Sequence, residues 1–219
     1  MKLTTLITSL LFSVMMNAQE KIRYVALGDS YTIGTGVAKE ESWPELLTEH
    51  LKKNKINIEL VANPARSGWT TSNLLLQEIP VFDKADADFV TILIGVNDWV
   101  QGVTEEDFKK NFVSILDIVQ DKLERKNNII VISIPDFGVT PGGARFTKGR
   151  DASEGIAAFN RIIAAEASKR NLPLVDLFEV SKQMGKDKDL VAPDGLHPSA
   201  KEHKIWESLI YPAAFELLK

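Results

Sequence analysis

Five short apolar runs, each parted from the next by an amphipathic stretch, leave this chain few folds to choose from. The runs lie at residues 22–27, 58–62, 89–94, 129–134 and 174–177. They are nearly continuous in apolar residues rather than alternating, the pattern of strands covered on both faces. The stretches between them carry helical spacing. Trp43, Leu46, Leu47 and Leu51 share one face, and a short helix over 72–79 is predicted to stop at Pro80. Phe108, Phe112, Ile115, Leu116, Val119 and Leu123 make the longest stripe, with Thr104 and Asp107 spaced as a cap at its start. Ile156, Phe159, Ile162, Ile163 and Ala167 make another, and a last helix begins at Ser199 with Glu202 three residues on. Strand and helix alternating in this way predict an α/β fold with one parallel five-stranded sheet and helices on both faces.

Few other constraints come from bulk properties. The chain has 219 residues and a net charge of -4, with no basic block that would mark a nucleic-acid or anionic-lipid surface. No Pro/Gly/Ser-rich linker divides it, so residues 19–219 read as one domain. Residues 1–18 read as a secretory signal. Lys2 is its positive start, 6–16 its apolar run and Ala18 the small residue before the cut. The run is short of the ~20 residues needed to span a bilayer. A secreted or periplasmic protein without a stable membrane anchor is therefore expected. There is no cysteine, so neither a disulfide nor a thiol-linked lipid can form. The sequence carries no signal for oligomeric state.

In open parallel sheets, ligands bind beyond the carboxyl ends of the strands. Four segments follow strands here: Gly28-Asp29-Ser30, the stretch from Asn63 to Trp69, Gly95-Val96-Asn97-Asp98, and Pro135-Asp136-Phe137. The loop before the last helix adds Asp194-Gly195-Leu196-His197. These are the segments richest in small, polar and turn-forming residues.

A serine hydroxyl needs a base within hydrogen-bond reach, and the base needs an acceptor to orient it. Of three histidines, His50 and His203 sit on helices and read as solvated surface residues. His197 stands in a loop at the strand ends, with Asp194 three positions before it. A tight turn brings that carboxylate to Nδ1 and leaves Nε2 as the base. Taken alone, D-x-x-H is more often a helix-entry turn. Ser30 follows the first strand directly, but Thr32 replaces the second glycine of a G-x-S-x-G elbow, which excludes an α/β-hydrolase. Acyl transfer also needs donors for a developing oxyanion. The Ser30 and Gly68 N–H groups and the Asn97 amide are placed to serve.

These blocks resemble those of the SGNH hydrolases, the GDSL-type esterases and lipases. Gly28-Asp29-Ser30, Gly68 within 63–68, Gly95-Val96-Asn97-Asp98 and Asp194-Gly195-Leu196-His197 stand in the family's order across nearly the whole mature chain. Tyr31 departs from the leucine of the GDSL name, which touches pocket shape more than chemistry. The resemblance implies a flavodoxin-like three-layer α/β/α sandwich and a metal-free serine mechanism on a small-molecule ester. Ser30 would be the nucleophile, His197 the base, Asp194 its partner, and Ser30, Gly68 and Asn97 the oxyanion hole. The alternatives are a carbohydrate O-deacetylase rather than a lipid esterase, and a non-catalytic ligand-binding protein on the same fold.

No cofactor is expected. Gly34-Thr35-Gly36 begins a dinucleotide pattern, but Lys39 stands where its third glycine belongs. No metal is expected either, with no cysteine and three scattered histidines. Trp69, Trp99 and Arg66 are candidates for a substrate pocket, while Trp43 and Trp206 read as core. The stretch 138–155 is long for a loop. It reads as a substrate-facing lid or, preferentially, as a variable surface loop.

Overall fold

The computed structural model describes residues 20–219, so the expected signal segment at 1–18 lies outside the described residues. The elements are β1 (Ile22–Gly28), α1 (Trp43–Lys53), β2 (Ile58–Ala62), α2 (Ile79–Ala85), β3 (Phe89–Leu93), α3 (Val96–Gln101), α4 (Glu105–Lys122), β4 (Ile129–Ile132), α5 (Ala152–Lys169), β5 (Leu174–Val175) and α6 (Ala200–Leu218), with shorter turns between.

All five strands are parallel, in the order β2-β1-β3-β4-β5. This is the flavodoxin-like doubly wound order, in which the sequence of strand addition reverses between β1 and β3. A crevice opens at that switch point, because the connections leaving the two strands run to opposite faces. β3 and β4 are buried at every position, which explains their unbroken apolar runs. α1 packs against α6, while α4 packs against α5. The expected stripe of α4 is inward: Phe108, Phe112, Ile115, Leu116 and Val119 are all buried. Trp43 and Trp206 are fully buried, as expected of core residues.

Caps fix the helix starts. Thr104 accepts a hydrogen bond from Asp107 N at 3.1 Å and Asp151 from Glu154 N at 3.0 Å. Ser199 accepts one from Glu202 N at 3.4 Å, but Glu202 does not reach back to complete a box. Its Oε1 takes the Trp206 indole N–H at 2.6 Å instead.

Two expectations need correction. Pro80 does not end its helix. The segment from Thr71 passes through a π turn at Leu74–Glu78, and Pro80 then sits in the first turn of α2. Proline is tolerated in a first turn because its missing N–H has no helical acceptor there, and the wider π turn makes that new start.

His203 is not a surface residue. It is fully buried, with Nδ1 accepting the Trp43 backbone N–H at 3.3 Å. Burial pushes its pKa down to about 4, with the charge on His197 acting in the same direction, so it is a neutral core ring. The cause is the face α6 turns to the start of α1, which a single-helix reading does not show. His50 is half exposed, but it pairs with Glu207 at 2.8 Å and stacks on Tyr211.

Candidate active site

The loops after β1, β2 and β3 and the loop before α6 converge at the switch point. They enclose a cleft of about 160 Å³ lined by Ser30, Tyr31, Ser67, Gly68, Val96, Asn97, Val100, Phe137, Phe146, Leu196 and His197.

Each polar member is held by its own local structure. Ser30 opens the single helical turn Ser30–Ile33, with Asp29 before it as the cap. Asp29 Oδ1 accepts the Tyr31 N–H at 3.0 Å, and Thr35 N donates to the Ser30 carbonyl at 2.9 Å. The Ser30 N–H therefore lies at the open amino end of a turn, where helical geometry provides no acceptor. Gly68 has φ +83, a left-handed conformation that glycine adopts without strain.

Asn97 Nδ2 donates to the Trp69 carbonyl at 2.9 Å, tying α3 to the Gly68 loop and leaving its second amide hydrogen uncommitted. Asp98 is fully buried and braces the same junction, accepting from Thr71 N at 2.9 Å and from the Thr71 hydroxyl. Asp29 and Asp98 thus brace the loops after β1 and β3.

Asp194 Oδ2 meets His197 Nδ1 at 2.6 Å, while Oδ1 accepts the N–H groups of Leu196 and His197 at 2.8 and 3.0 Å. Burial works against ionisation of Asp194. The bonds from the His197 ring and from the two N–H groups outweigh it and hold the carboxyl below its ordinary range. A carboxylate so fixed assigns the proton of the neutral imidazole to Nδ1 and leaves Nε2 unprotonated.

None of the three pocket candidates, Trp69, Trp99 and Arg66, lines this cleft. Trp99 is buried beneath the Arg150 guanidinium, 3.8 Å from its ring, and edge-on to Phe137. On α3, Val96, Asn97 and Val100 share the face turned to the cleft, and Trp99 falls outside that arc. Trp69 and Arg66 line a neighbouring surface depression with Pro64, Gln77 and Val81. Only the Trp69 carbonyl touches site machinery, through Asn97.

The apolar wall comes instead from Tyr31, Val96, Val100, Phe137, Phe146 and Leu196. Phe146 belongs to the stretch 138–155, for which a surface loop was the preferred reading. That stretch docks on the loop that carries Asp194 and His197: Gly142 N donates to the Gly195 carbonyl at 2.6 Å and Arg145 Nη2 to the Asp194 carbonyl at 3.1 Å. Its length was the available signal; its docking depends on backbone contacts that no side-chain pattern encodes.

Behind Ser30 lie two further buried carboxyls. Glu78 Oε2 accepts the Gly28 N–H at 2.9 Å, while Glu78 Oε1 and Asp29 Oδ2 have no hydrogen-bond partner among the described residues. Burial pushes Glu78 up to about 9 and Asp29 up to about 8, against the backbone bonds that each accepts and with like charge nearby adding to the rise. Both groups thus hold a proton in the folded state that they lose in the unfolded chain above about pH 5. Stability must therefore fall as pH rises from about 5 towards 9, by roughly 1 kcal/mol per pH unit for each proton retained. Glu78→Gln keeps the shape without the titration. Its stability, measured by urea unfolding from pH 7 to 9, above the range in which Glu202, raised to about 7 by burial, titrates, is expected to fall less steeply than that of the wild type. Parallel slopes would mean that Glu78 is already ionised.

The model of the GDSL-like lipase/acylhydrolase family matches residues 26–205, from within β1 to within α6. The chain belongs to that family. This GDSL-like acylhydrolase is accordingly a carboxylic ester hydrolase. It is 28% identical over 140 residues to an arylesterase of Vibrio mimicus, covering 63% of this chain and 67% of that protein. It is 24% identical to the spore germination lipase LipC of Bacillus licheniformis, covering 90% and 99%. Among solved structures, that of TesA superposes with a TM-score of 0.72 at 22% identity, covering 90% of this chain and 99% of that one, a likeness of fold.

Proposed function

We propose that this acylhydrolase works as a serine esterase with Ser30, His197 and Asp194 as its triad. The observation that carries the reading is the 2.6 Å contact between Asp194 and His197 Nδ1, in a ring that shares one small cleft with the Ser30 side chain. His197 Nε2 takes the Ser30 proton as Oγ bonds to the ester carbonyl carbon. The oxyanion meets the Ser30 and Gly68 N–H groups and the Asn97 amide. Collapse expels the alcohol, which receives the proton from His197. Water, deprotonated by the same ring, then releases the acid and restores Ser30.

The apolar lining argues for a short to medium acyl group in the cleft, since chemically matched walls favour an apolar occupant. Lys2, the apolar run over 6–16 and Ala18 support export with cleavage after Ala18.

A p-nitrophenyl alkylphosphonate tests the triad directly. It should leave one phosphonyl group per chain, found by mass spectrometry on the peptide containing Ser30, with p-nitrophenol released in equal amount. Label on another serine, or none while esterase activity persists, would remove Ser30 from the reaction.

A further inference from the structure

The protein is acidic overall, with a net charge of -4, yet arginines gather around its catalytic cleft. Arg66 precedes Ser67 and Gly68 of the cleft wall. Its guanidinium lies 5.7 Å from the Trp69 ring centre, and Arg66 lines two open depressions, one of which is also lined by Ser67 of the cleft wall. Arg145 precedes the wall residue Phe146 and donates to the Asp194 carbonyl at 3.1 Å. Arg150 donates to the carbonyl of the wall residue Val100 at 3.1 Å.

All three side chains are exposed, and among the described residues none is ion-paired with a carboxylate. Their partners are neutral carbonyls and rings, so their positive charge stays uncompensated. By contrast, Arg170 is paired with Asp117 at 2.7 Å and Arg161 with Glu154 at 3.4 Å. Among the described residues, the acids near the cleft make their contacts with groups other than these guanidiniums. Asp194 is bound to His197, Asp98 to Thr71, Asp136 to Ser153 and Asp151 to the start of α5.

Cationic groups at the rim of an apolar pocket raise the local concentration of anions and hold them in place. Guanidinium groups match carboxylate and phosphate oxygens in shape as well as charge. The apolar walls of the cleft disfavour a charged occupant, so in a substrate whose acyl chain fills the cleft a charged group belongs on the alcohol.

We propose that the natural substrates are esters of an anionic alcohol, with the acyl group in the cleft and a carboxylate or phosphate on the alcohol held by Arg66 together with Arg145 and Arg150. This rests on the serine esterase reading and adds to it the class of the alcohol.

The test compares acetyl esters that differ only in the charge on the phenol: phenyl acetate, 4-acetoxybenzoate, 4-acetoxyphenyl phosphate and 4-acetoxy-N,N,N-trimethylanilinium. Rates are divided by each ester's uncatalysed hydroxide rate to remove leaving-group reactivity. At low ionic strength, at least one anionic ester should exceed phenyl acetate in corrected kcat/KM by about tenfold, and the cationic ester should fall below it. The carboxylate and phosphate arms show which anion is preferred.

The advantage should shrink severalfold in 0.5 M sodium chloride, where screening is confined to about 4 Å, and again in Arg66→Gln. The salt and cation arms need no variant, so a misfolded substitution cannot hide the answer. Equal corrected values for anionic, neutral and cationic esters at low salt would overturn the proposal while leaving the esterase reading intact. Failure to hydrolyse any of the four would remove both.

Discussion

Ser30→Ala is expected to lower kcat/KM on p-nitrophenyl acetate or butyrate by at least about three decades while barely moving the melting temperature. Both halves follow from the local structure. The Ser30–Ile33 turn is held by the Asp29 cap and by backbone bonds from Thr35 and Gly34 to the Ser30 carbonyl, so losing Oγ removes no support. What disappears is the atom that forms the covalent intermediate. The oxyanion donors remain, two of them backbone N–H groups, and residual catalysis by that machinery sets the floor. Steady-state kinetics and a thermal melt on the same preparation check the pair of expectations. A variant as active as the wild type would leave Asp194 and His197 as an unused pair and favour a ligand-binding role for the cleft.

Gly95→Ala should destabilise the fold substantially. Gly95 joins β3 to α3, directly before Val96 and Asn97, with φ +128. Residues with a Cβ are strained there, at a cost of roughly 1–3 kcal/mol. The added methyl would also sit 2.7 Å from Phe108 Cε2 and 2.8 Å from Ile134 Cδ1. Both neighbours are buried in the core, and overpacking of that kind costs roughly 1–3 kcal/mol more. The sum, about 2–6 kcal/mol, corresponds to a fall in melting temperature of roughly 4–24 °C for a domain of this size. Activity should fall as well, because relief of the clash moves the start of α3 and with it the Asn97 amide. Calorimetry at a fixed pH measures the first effect. A fall below about 2 °C would show that Phe108 and Ile134 can retreat without cost.

The five strands, the long helices and the polar blocks at the strand ends were legible in the sequence because they are local. A strand buried on both faces reads as an unbroken apolar run, and the α4 stripe names its own inward face. Asp194 and His197 were legible for the same reason, since a contact across three residues is fixed by one turn. Pro80 was misread because its helix restarts after a π turn, a register change without a periodic signature. His203 was misread because burial depends on the helix packed against it, and Trp99 because its arc on α3 faces away from the cleft.

What the sequence determined by itself was therefore whatever depends on neighbours along the chain: element type, caps, and the loops that carry reactive groups. The tertiary structure alone decided which walls meet. It brought Phe146 and Arg145 from the 138–155 stretch onto the loop that carries Asp194 and His197, and it set Asp29 and Glu78 without solvent behind the nucleophile. Those arrangements arise from packing between segments far apart in sequence, where desolvation and steric fit are properties of the assembled core.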